Sequence, residues 1–227
     1  MLKVANLQYR YPNGAGLGPV NCEFSQGSIY AIVGPNGAGK STFFSILTGL
    51  LRPQNGVLTV DNISGYQRIP LPLLGFLPEN SLLNSQFTLR QSLQFDAAMR
   101  SQPLNEAELD SRLEIFSCQD FADQKIGSLS QGMAKRAALT LAFQSKAKIL
   151  VLDEPLNGID TQTLIQLRHQ VLAARRAGKT LLISSHILSF VDEVADEILF
   201  LGKGSFVART QPRYGGAEQI YRQLFLN

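Results

Sequence analysis

A chain of 227 residues, 44% of them hydrophobic and 17% charged, can bury a full core as one α/β domain, and no apolar run reaches the roughly 18 residues that a membrane span needs. The net charge of +3, with Lys and Arg scattered instead of forming runs, argues against a nucleic-acid partner. Cys22 and Cys118 stand apart without CxxC spacing, which sets zinc aside; the N-terminus lacks a signal peptide's charged start and long apolar middle, so a cytoplasmic protein with reduced thiols is expected.

From Leu2 to Phe24, apolar and polar residues alternate around Pro12-Asn13-Gly14, which predicts antiparallel strands joined by turns. Tyr11 precedes that turn; an aromatic there can stack on an adenine ring or simply pack. Ser28 to Val33 is apolar on both faces, as a buried parallel strand must be. Gly34-Pro35-Asn36-Gly37-Ala38-Gly39-Lys40-Ser41-Thr42 follows and matches GxxxxGK(S/T). Phe43, Ile46, Leu47 and Leu50 then recur at helical spacing until Pro53. A loop between strand and helix converges backbone N–H groups on oxygen anions, with the positive end of the helix facing the same point. Lys40 is expected to reach the β- and γ-phosphates and the Ser41 hydroxyl to ligate Mg²⁺. The competing reading, a Gly-rich turn that matches by accident, does not explain why strand and helix flank it.

Gly56 to Asp61 reads as a strand, and Leu74 to Asn80 as another that Pro78 interrupts and Glu79 follows. From Thr88 to Phe143 the pattern turns helical, with helices expected over Leu89–Met99 and Glu106–Phe116 and a third from near Ser130. The expected organisation is a single 1–227 domain, with 88–145 a helical insertion in a catalytic core made of 1–87 and 146–227. Ile149 to Leu152 is a fully apolar strand that delivers Asp153-Glu154 at its carboxyl end; Asp160 or Thr161 caps the next helix, which closes at Gly178. Thr180 to Ser184 presents Ser185 and His186 in the same way, and Glu197 to Leu201 is a last strand before a short tail and a terminal helix over Ala217–Phe225. His169, mid-helix beside Gln170, reads as a surface histidine.

Ligands of open parallel sheets bind outside the carboxyl ends of strands, where the phosphate loop, Asp153-Glu154 and His186 all fall. Asp153 is expected to hold Mg²⁺ with Ser41, Glu154 to accept a proton from an attacking water or hold it in line, and His186 to bond the γ-phosphate or orient Glu154.

With Leu129-Ser130-Gln131-Gly132-Met133 and the following Ala134-Lys135-Arg136, the chain resembles the nucleotide-binding subunits of ABC transporters over nearly its whole length, these residues standing at the family's LSGGQ signature. The resemblance implies a P-loop core with a mixed sheet, an N-terminal antiparallel β subdomain and the inserted helical signature subdomain. It also implies two subunits sandwiching ATP between the phosphate loop of one and Ser130, Gln131, Gly132 and Met133 of the other, paired as a homodimer or heterodimer. Tyr11 then matches the adenine-stacking aromatic, Glu154 the catalytic glutamate, His186 the switch histidine, and Asn157-Gly158-Ile159-Asp160 the loop between sites. Two positions depart: Glu79 stands where the family usually has a Gln that contacts Mg²⁺, and Met133 where the signature ends in Gln. Both variants, with the short tail, look more like export systems. The implied function is an ATPase peripheral on the cytoplasmic face, driving a separate multispanning subunit. The alternatives are a soluble relative acting in translation or nucleic-acid repair, which typically shows tandem domains, coiled coils or zinc cysteines not visible here, and a small-molecule P-loop kinase, which has no need of the Ser130-Gly132 anion site.

Overall fold

The computed structural model describes residues 1–78, 83–144, 147–213 and 215–226, with Gln144 described for its backbone alone. Two sheets carry the fold. The first has the order β2-β1-β4-β5 and is antiparallel: β1 (Leu2–Arg10), β2 (Gly16–Phe24), β4 (Asn55–Val60) and β5 (Ile63–Tyr66). The second has the order β10-β9-β3-β8-β7-β6: β3 (Ile29–Val33), β6 (Leu74–Leu77), β7 (Ile149–Leu152), β8 (Thr180–Ser184) and β9 (Glu197–Gly202) run parallel, and β10 (Ser205–Thr210) closes one edge antiparallel.

The near-continuous apolar runs of the parallel strands follow from burial on both faces, because successive side chains point to opposite sides. In β3, Tyr30 and Ile32 enter one core with Phe43, Phe44, Ile46 and Leu47 of α1 (Lys40–Thr48) and with Leu2, Phe24 and Leu58 of the antiparallel sheet. Ile29, Ala31 and Val33 enter the other, where they meet residues of α4 (Gln131–Gln144), α5 (Thr161–Arg176) and α6 (Leu188–Val194). The register Ile29↔Leu181 and Leu150↔Leu181 sets β3, β8 and β7 side by side, so their carboxyl ends share one rim.

The stretch expected to be helical contains α2 (Leu89–Met99) and α3 (Glu106–Glu114), both opened by full capping boxes, Thr88 with Gln91 and Asn105 with Glu108. Arg90 of α2 reaches Glu106, Asp110 and Asp123 at 3.2 to 3.3 Å and so ties the stretch together. A last helix, α7 (Gly216–Phe225), packs on α6 and β9; its Ala217 N–H donates to Asp192 of α6 at 3.1 Å.

The structure departs from the expectations in specific places. α1 stops at Thr48 because Gly49 takes φ +84°, so Leu50 lies beyond the helix and is 53% exposed. Glu114 and not Phe116 ends α3, although Phe116 is fully buried. The strand before Pro78 ends at Leu77. β5, β10 and α6 were not expected. β5 and β10 are half of hairpins turned at Asp61-Asn62 and Lys203-Gly204, pairs with positive φ throughout that suit tight hairpins. Both cysteines are free and buried, and burial pushes the Cys22 thiol up to about 12. Among the described residues no helix is long and apolar enough to cross a membrane.

Candidate nucleotide site

The loop between β3 and α1 owes its path to two glycines in particular. At Gly34 a Cβ would stand 2.1 Å from the Leu201 carbonyl oxygen, so only glycine lets the chain leave the sheet against β9. Gly39 caps α1 with φ +108°, a conformation that other residues rarely adopt. Lys40 is buried at the first position of α1 and folds back over the loop, donating to the carbonyls of Gly34 at 2.7 Å and Pro35 at 3.3 Å. An ammonium has three N–H donors, and these two bonds hold the charge at the mouth of the loop with a donor to spare.

A cavity of about 390 Å³ runs over this loop, walled by Tyr11, Ala15, Gly16, Asn36, the Gly37–Thr42 stretch and Glu154. A second of about 470 Å³ adjoins it, walled by Gly34, Pro35, Asn36, Glu154, Asn157, His186 and Tyr221. Asn36 and Glu154 belong to both walls, which makes one crevice along the rim of β3, β8 and β7. The size and the concentration of backbone donors at one end suit an elongated anion such as a nucleotide. Tyr11 packs edge-on against Tyr9 at 4.8 Å, and its hydroxyl lies 3.5 Å from the Thr42 hydroxyl, leaving it in the wall at the end away from His186.

The acidic pair is buried and tightly held. The Ser184 hydroxyl donates to Asp153 Oδ1 at 2.5 Å and accepts the Glu154 N–H at 2.7 Å. Glu154 adopts φ +45°, a strained conformation for a residue with a Cβ, of a kind that clusters at functional sites. Its carboxylate Oε2 lies 2.9 Å from His186 Nδ1. The Ser41 hydroxyl and the Asp153 carboxylate are hard oxygen donors, the chemistry that Mg²⁺ prefers. Glu79, the third residue expected at a metal, lies outside the described residues.

The Ser130–Met133 stretch opens α4 and contributes to neither wall. Ser130 Oγ accepts the Met133 N–H at 3.2 Å, leaving its proton available to donate; Ser130, Gln131 and Gly132 are exposed, with no atom near the place where a Cβ on Gly132 would stand. Met133 turns inward against the core. Asp160 caps α5 by accepting the Thr163 N–H at 2.7 Å, a bond that holds its carboxyl below the usual range. The preceding Gly158 approaches the Gln131 side chain of the same chain.

Sequence reasoning missed Ser184, Tyr221 and Lys135, whose Nζ donates to the Glu154 carbonyl at 3.0 Å. Ser184 had a signal, since it ends an apolar strand two residues before His186. Lys135 was visible only within the Ala134-Lys135-Arg136 match, with no role of its own, and Tyr221 lies in a helix far along the chain and carried none.

A glycine-rich loop opening a helix beside a central parallel strand, with an Asp-Glu pair at the end of a nearby strand, defines a P-loop nucleoside triphosphatase. The family model described as "ABC transporter" matches residues 17–157. The lantibiotic transport ATP-binding protein SrtF of Streptococcus pyogenes is 31% identical over 227 residues, 100% of this chain and 96% of that protein. The Nod factor export ATP-binding protein I of Rhizobium meliloti is 34% identical over 192 residues, 82% of this chain and 57% of that protein. A solved ATP-binding subunit of an ABC transporter superposes with a TM-score of 0.83 at 26% identity, over 100% of this chain and 94% of that one. The chain belongs to the ABC transporter family, as an ATP-binding and ATP-hydrolysing subunit.

Proposed function

We propose that this chain powers an exporter from the cytoplasmic face of a membrane, working as a face-to-face pair in which each nucleotide is held by both copies. The carrying observation is the placement of Ser130 and Gly132: they form an exposed helix tip, suited to an anion, that takes no part in the crevice of their own chain. A second copy, or a related subunit, would bring its own nucleotide to this tip. Export is supported by the relative that serves Nod factor export.

In the proposed mechanism Tyr11 stacks on the adenine, while Gly34 to Thr42 and the Lys40 ammonium hold the phosphates. Ser41 and Asp153 would hold Mg²⁺, with Glu79 a third candidate, and the ion would neutralise phosphate charge. Glu154 accepts a proton from the attacking water as its oxygen bonds to the γ-phosphorus and the bond to the ADP oxygen breaks. His186 steadies the Glu154 carboxylate by the contact of its Nδ1 with Oε2. Asn157 to Asp160 pass between the two sites.

For the membrane subunit, an apolar patch supports a docking place. Phe95 and Met99 of α2 and Leu71 are exposed, and Arg100 joins them by donating to the Leu71 carbonyl. The reading is tested with Glu154→Gln and ATP, measuring mass by light scattering. A dimer that forms only with ATP is expected; a monomer with full ATPase activity overturns it.

A further inference from the structure

The backbone of Glu154 is gripped from two directions. On one side its N–H is accepted by Ser184 of β8. On the other, its carbonyl accepts the Lys135 ammonium at 3.0 Å and the Asn157 N–H at 3.3 Å. Between them the residue keeps its left-handed φ of +45°. Without the grip on the carbonyl, nothing in the local sequence favours that conformation for a glutamate.

Lys135 sits on α4, the helix whose exposed tip is Ser130 to Gly132. A regular helix rises about 1.5 Å per residue, so Lys135 lies roughly 7.5 Å along the axis from Ser130. α4 is one continuous helix of 14 residues packed on β6 and β7, so its tip and Lys135 belong to the same rigid element. Anything that pulls on its tip therefore acts on the Lys135 bond. Gln131, at the same tip, also faces Gly158 in the loop that Asn157 begins.

We propose that Lys135 is a positioning residue that ties the tip of α4 to the Glu154 backbone, so that a neighbour's nucleotide docking on Ser130 and Gly132 sets the catalytic carboxylate of the same subunit. This rests on the paired-subunit reading and on Glu154 as the base. It adds a charged link inside each subunit, by which filling one nucleotide site readies the other. The bond geometry requires a long cationic donor: methionine matches the length without a donor, and arginine restores one.

The experiment uses the full chain as wild type, Lys135→Met, Lys135→Arg and Glu154→Gln. Steady-state hydrolysis is measured against ATP concentration, nucleotide affinity with a non-hydrolysable ATP analogue, and amide hydrogen exchange over residues 153–157. Lys135→Met should lower kcat about tenfold or more, bring a Hill coefficient above 1 down to about 1, and leave analogue affinity within about twofold. Exchange over residues 153–157 should quicken even without ATP, and Lys135→Arg should recover most of the cooperativity. Melting midpoints establish that the variants fold; Lys135→Leu, which also lacks a donor, replaces Lys135→Met if the latter does not. Wild-type hydrolysis without cooperativity, or Lys135→Met with unchanged kcat, cooperativity and exchange, overturns the link. If Glu154→Gln still turns over, the catalytic reading fails first and the link with it. An inactive Glu154→Gln beside an unaltered Lys135→Met removes the link alone.

Discussion

His186 Nδ1 lies 2.9 Å from Glu154 Oε2, with 61% of the histidine side chain but only 9% of the glutamate side chain exposed. The carboxylate is thus buried in the protein and touched from outside by a group that can reach into solvent or toward a phosphate. This asymmetry makes the histidine the movable partner. His186→Ala should leave ATP affinity within about twofold and lower kcat by roughly 10² to 10⁴, the range for a positioned acid–base contact. Binding and turnover measured on the same preparation check it; an equal loss in both would show that His186 binds substrate instead of steadying Glu154.

Ser184 bridges two buried groups with one hydroxyl, donating to Asp153 and accepting from Glu154. Removing it takes one partner from a buried N–H and one from a buried carboxylate. Ser184→Ala should cost about 1 to 3 kcal/mol of stability, and turnover should fall as well because the Glu154 backbone is no longer held. Urea unfolding and ATPase rates measure the two effects; a stable variant with reduced turnover would locate the role of Ser184 in catalysis alone.

What the sequence disclosed depended on how far apart the cooperating residues lie. The phosphate loop is contiguous, its glycines needed for a close approach to Leu201 and a positive φ, so spacing alone revealed it. Asp153, Glu154 and His186 were legible because each follows a strand that is apolar on both faces. Lys135 was not, because its bond to Glu154 joins positions 19 residues apart through the packing of α4 on β7. Edge strands β5 and β10 escaped for another reason. They are short, with side chains exposed or half-buried, so they lack the hydrophobic alternation that marks a strand against a core.

Asp160 offers a pH test of the N-terminus of α5. Its carboxyl is held below the usual range chiefly by the Thr163 N–H it accepts, so the ionised form is favoured in the folded state. A depressed folded pKa contributes stability that is present above the unfolded value, about 3.9, and is lost as pH falls through the folded one. Asp160→Ala should therefore lower the melting midpoint at pH 7, and the gap to wild type should narrow as pH drops below about 4. Asp160→Asn, which keeps an N-cap acceptor, should melt close to wild type at pH 7. A gap that widens in acid would contradict the capping account.

Gly132 permits a sharper separation of fold from function. Nothing lies within 4 Å of where a side chain would begin, and the position is at the start of α4, where a negative charge favours the helix. Gly132→Asp should thus melt at or above the wild-type temperature, yet its carboxylate would repel the phosphate that the proposed pairing brings to this tip. Lys40→Ala should fail differently, by losing the ammonium over its own phosphate loop. If each nucleotide is shared, a mixed pair of the two variants contains one spoiled pocket and one intact pocket. The intact pocket joins the Lys40 of the Gly132→Asp copy to the Gly132 of the Lys40→Ala copy. Two inactive proteins should therefore regain ATPase activity on mixing, in proportion to the mixed pairs formed but at about a tenth of the wild-type rate per pocket or less, because the Gly132→Asp tip cannot receive the nucleotide that readies its own copy's Glu154. Absence of any recovery, with mixed pairs demonstrated by light scattering of differently sized tags, would mean that each chain completes its nucleotide site alone.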